Sequence, residues 1–92
     1  MIEYVEIIKV NLMVKDYEID FDLFNTLEIV KIFTFFELIE ATKKKSISKE
    51  LLNKKYKEYK VIINNKTLEK KYDKMFQKIT GISIYKTMRL YK

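Results

Sequence analysis

The stretch NNKTLEKKYDKMFQKITGISIYKTMRLY, residues 64–91, decides how this chain is read. In its first part Leu68, Tyr72, Met75, Phe76 and Ile79 recur at three- and four-residue steps, which is the spacing of an amphipathic helix. Asn64 or Asn65 stands where an N-cap is wanted, Glu69 lies near the positive end, and Gly81 stands where a left-handed cap closes a helix. The spacing predicts a helix over 65–79, ending at about Thr80. Beyond the glycine the pattern changes to a period of two, with Ile82, Ile84, Met88 and Leu90 on one side and Ser83, Tyr85, Thr87, Arg89 and Tyr91 on the other. That alternation predicts a terminal strand over 82–91.

Upstream, residues 46–60 carry Ile47, Leu51, Leu52, Tyr56 and Tyr59 on one face, with Ser46 or Ser48 as cap and Glu50 in the first turn. A second helix is expected there, ending near Lys60, with Val61, Ile62 and Ile63 as an apolar connection. Residues 23–41 predict a central buried helix whose apolar side chains point nearly all round, so it must be covered all round. Phe33, Phe35 and Phe36 are the side chains expected to be closed by a second copy of the chain, in a homodimer. The competing expectation is that the chain's own elements suffice. Residues 1–22 read as an extended segment. Ile2 to Val14 is rich in β-branched residues, which favour strand, although an amphipathic helix fits as well; Lys15 to Leu23 alternates acids with apolar residues. The resulting class is α+β in a single domain of 92 residues.

Composition removes much chemistry. With no Cys and no His, thiolate and imidazole catalysis and zinc sites are excluded, and one Gly cannot build a phosphate-binding loop. Asp16, Glu18, Asp20 and Asp22 are spaced two apart, but Phe21 and Leu27 occupy the places where a calcium loop requires Gly and Glu. No metal and no cofactor are expected. An enzyme would have to rely on Asp20, Asp22 or Glu28 with Glu69 and Lys71, or on a tyrosine nucleophile with Arg89 as its sole arginine, and the expectation is no enzyme. The charges within 21–41 exclude a membrane span, no secretory signal opens the chain, and a cytoplasmic location is expected.

Charge supplies the positive clue. Residues 1–42 hold nine acids against three bases, a net of −6, whereas residues 43–92 hold sixteen bases against four acids, a net of +12. Such asymmetry points to a polyanion-binding surface, the alternative being a merely solubilising lysine coat.

A long apolar helix, a Ser-capped helix, a short turn, an Asn-capped basic helix and a strand, in that order over 23–92, resemble the winged helix-turn-helix of small prokaryotic, archaeal and archaeal-virus regulators. The resemblance implies a helix-turn-helix-like unit over 46–80 and a recognition helix over 65–79. It implies a double-stranded DNA-binding transcriptional regulator acting by occupancy. Lys66, Lys70, Lys71, Lys74 and Lys78 would then meet phosphates, Thr67 and Gln77 would meet base edges, and Arg89 on the terminal strand would act as a wing. The rival expectation is a protein-binding module, such as an inhibitor or immunity factor of a mobile element, docking through the acidic half or the Phe-rich helix.

Overall fold

The computed structural model describes residues 17–91, and the expected strand or helix over 2–14 lies outside them. The described residues form four helices and no strand: α1, Thr26–Ala41; α2, Lys49–Ile62; α3, Lys66–Thr80; and α4, Ile84–Leu90. The expected α+β winged-helix class is therefore corrected to all-α for this part of the chain.

Each correction has a local cause. The period-two reading of 82–91 fails because Ser83 caps a helix, its Oγ accepting the Lys86 N–H at 3.2 Å. Ile84, Thr87 and Met88 then fall on one buried face at three- and four-residue steps, while Leu90, counted with them in the strand, is 84% exposed. The alternation holds at Tyr17 and Ile19, which are buried on either side of exposed Glu18, and ends at Phe21 and Leu23, which are exposed where the chain turns on itself: the Phe21 N–H bonds the Ile19 carbonyl at 3.0 Å and the Leu23 N–H bonds the Asp20 carbonyl at 2.9 Å. The central helix starts three residues later than expected, at a capping box. Asn25 Oδ1 accepts the Glu28 N–H at 2.8 Å and Glu28 Oε1 accepts the Asn25 N–H at 2.9 Å. Helix α2 runs on through Val61 and Ile62, leaving residues 63–65 as the connection. Helix α3 follows its pattern, from the Asn65 cap on the Leu68 N–H at 2.8 Å to Gly81 at φ 76°.

Helix α1 is covered by its own chain. Phe35 stacks on Tyr59 of α2 with ring centroids 4.6 Å apart, and Phe36 meets Phe76 of α3 at 4.8 Å. Tyr17, in the segment before α1, closes the remaining side, 5.0 Å from Phe36 and 6.0 Å from Phe33. Aromatic pairs at these separations add to the area they bury. Phe33, Phe35 and Phe36 are 4%, 0% and 0% exposed within one chain, so the case for a homodimer built on these rings lapses.

Candidate nucleic-acid interface

The core fixes which side of α3 faces solvent. Tyr72 and Phe76 are buried, with Leu68, Met75 and Ile79 packed against the same core, so the opposite arc must carry Lys66, Thr67, Lys70, Lys71, Lys74, Gln77 and Lys78. All seven are exposed. Lys66 and Lys78 stand about 18 Å apart at 1.5 Å of rise per residue. The arc between them carries five lysines and no carboxylate.

The two acids of α3 turn to its other edge. Glu69 Oε2 lies 2.6 Å from Lys60 Nζ of α2. Asp73 lines a small cavity of about 20 Å³ with Tyr56, Tyr59, Lys60, Glu69, Ile84 and Tyr85, at the junction of α2, α3 and α4. Burial, and secondarily the neighbouring Glu69 carboxylate, push the Asp73 carboxyl up to about 6, against the pull of Lys60. Burial likewise raises the Tyr59 hydroxyl, with Asp73 and Glu69 adding to the effect.

One lysine of the basic arc is already engaged. Lys71 Nζ sits 3.0 Å from both oxygens of Asp20, whose Oδ2 also accepts the Tyr72 hydroxyl at 2.8 Å. The hydrogen bond from Lys71, then that from Tyr72, hold the Asp20 carboxyl below the usual carboxylate range. Arg89 is not on a terminal strand, so the expected wing is not formed. It stands on α4, exposed, with its guanidinium 5.7 Å from the Tyr85 ring centroid. The pairing of Lys71 with Asp20 spans 51 residues, and no spacing in the sequence announces it.

Among the described residues no group of three or more carboxylates converges as metal ligands would. None of their helices is long and apolar enough to cross a membrane.

The fold and site thus define a small helical domain presenting one lysine-covered helix. The chain belongs to the uncharacterised protein family UPF0223, whose model matches residues 15–92. It is 41% identical over 73 residues to a UPF0223 protein of Bacillus cytotoxicus and 38% identical over 73 residues to one of Bacillus mycoides, in each case covering 79% of this chain and 81% of the relative. A UPF0223 protein of Streptococcus mutans is 33% identical over 81 residues, covering 87% and 88%. This membership replaces the winged helix-turn-helix resemblance, since no family of that kind is matched. No solved structure matches the chain.

Proposed function

We propose that the protein binds duplex DNA through the exposed face of α3 and acts by occupancy, without catalysis. The observation that carries this reading is the arc of five exposed lysines on a single 15-residue helix, an arc to which the helix itself contributes no acid and in which Lys71 alone pairs with a carboxylate among the described residues, that of Asp20. Lysines so placed neutralise phosphates and release counterions, an attraction that does not depend on base sequence. Lys66, Lys70, Lys74 and Lys78 are the phosphate contacts in this reading. Thr67 and Gln77 are the two neutral donors and acceptors within reach of base edges. A role in transcription and a cytoplasmic location belong to the same proposal.

The test is fluorescence anisotropy of a labelled random 30-base-pair duplex against the full chain at several salt concentrations. Four phosphate contacts give a log-log salt slope of about −3.6. A flat dependence, or no retention at low salt, removes the reading.

A second reading, protein docking, is favoured by one observation. Phe21, Leu23 and Leu27 are 48%, 62% and 61% exposed around the start of α1. These residues form an exposed apolar group available to a partner, whereas the phenylalanines of α1 are buried. Binding insensitive to salt distinguishes that mode from phosphate contact.

A further inference from the structure

The segment before α1 is acidic and lies along the basic helix. Tyr17 stacks on Phe76 at 5.9 Å, the Glu18 N–H meets Met75 Sδ at 2.9 Å, Asp20 meets Lys71 and Tyr72, and Phe24 packs edge-on to Tyr72 at 6.2 Å. From Tyr17 to Asp20, increasing residue number pairs with decreasing number along α3, an antiparallel run. Glu18 also lines an open depression with Met75 and Lys78. On a helical projection Lys78 and Lys71 form the edge of the arc nearest this segment, while Lys66 and Lys70 lie at the far edge and Lys74 between.

Asp20 is fixed at both its ends. Its backbone N–H donates to the Tyr72 hydroxyl at 3.0 Å, and that same hydroxyl donates to its carboxylate. The carboxylate cannot swing away from Lys71 without giving up the tyrosine as well. Two anionic oxygens shared between one ammonium and one hydroxyl donor reproduce the contacts that a phosphate would make at this position.

We propose that Asp20 acts as an internal phosphate surrogate that withdraws Lys71 from the DNA-binding face and so sets the strength of binding. The inference rests on the DNA-binding reading above and deepens it: Lys71 belongs to the fold, and Asp20 is the positioning residue that keeps it there. A nucleic-acid phosphate gains Lys71 only by breaking its pairing with a carboxylate that the Tyr72 hydroxyl also holds.

A double-mutant cycle tests this on the full chain, with the labelled 30-base-pair duplex as probe. Asp20→Asn keeps an acceptor for Tyr72 while releasing the ammonium. It is expected to tighten binding about threefold at 50 mM salt and to steepen the salt slope by about 0.9, the value of one added phosphate. Lys71→Gln is expected to weaken the parent less than Lys70→Gln does, and to abolish the gain when combined with Asp20→Asn. If Asp20→Asn tightens binding equally with Gln at position 71, the gain is general charge removal and the role assigned to Lys71 is overturned. Parent binding unchanged by Asp20→Asn overturns the proposal while leaving the DNA-binding reading intact. Absence of binding by every variant and by the parent overturns both. Circular dichroism confirms folding of each variant, and the comparison of Lys71→Gln with Lys70→Gln stands even if Asp20→Asn does not fold.

Discussion

Tyr59 stacks on Phe35 at 4.6 Å between ring centroids, with planes inclined by 28°, yet its hydroxyl is buried with no hydrogen-bond partner among the described residues. The ring anchors α2 to α1 while the oxygen is a cost. Tyr59→Phe should keep the stacking and remove an unsatisfied polar group, so thermal unfolding should show a midpoint unchanged or raised by the equivalent of up to about 1 kcal/mol. A clear loss of stability would mean that the hydroxyl is satisfied. Phe35→Ala, by contrast, should cost about 3–5 kcal/mol, because it empties a fully buried site between two helices.

Lys70 and Lys74 sit within the basic arc, both exposed and with no ion pair to an acid among the described residues. Lys70→Glu combined with Lys74→Glu should leave the circular dichroism spectrum unchanged and weaken duplex binding at least about a hundredfold at 50 mM salt. Retained affinity would remove α3 as the contact surface.

Asp73 predicts a pH dependence of stability. Its carboxyl titrates near 6 in the folded chain, above its ordinary value of 3.8, so the folded state takes up a proton before the unfolded state does. Stability should therefore rise as pH falls from above 6 towards 4. The gain should be of order 1 kcal/mol, since the carboxylate remains partly wetted. Asp20 acts in the opposite sense in a separate window: its lowered carboxyl contributes stability above 3.8 that is lost as pH falls through its folded value. Chemical unfolding at pH 7.5 and pH 5 should show the first effect, and Asp73→Asn should abolish it.

Gly81 closes α3 at φ 76°, and a Cβ built there meets nothing within 4 Å. Gly81→Ala is thus penalised by backbone conformation alone, about 1–2 kcal/mol in thermal unfolding. Gly81→Asn should lose less, since asparagine tolerates this region.

Helix α3 was the most legible element because its apolar steps, its Asn65 cap and its Gly81 stop agree with one another. The lysine arc followed from it directly. Helix α4 was not legible: Ile82, Ile84, Met88 and Leu90 satisfy a period of two, while Ile84 and Met88 equally satisfy a step of four. Only the Ser83 cap, and the buried Thr87 that a hydrophobic count passes over, separate the two readings. The phenylalanines of α1 suggested a second copy because sequence does not show that Tyr17, Tyr59 and Phe76 converge on them. The Asp20–Lys71 contact was hidden for the same reason, being made by residues distant in the chain.

Each of the four helices begins at a residue whose own side chain holds an amide three positions on: Asn25, Ser48, Asn65 and Ser83. Instructions of that range are complete as soon as a few residues have left the ribosome, before any partner helix exists. Assembly then joins segments whose starting points are already set, with few long loops to close at the outset. A chain whose helix starts are set locally should fold faster than one whose elements depend on distant contacts for their boundaries.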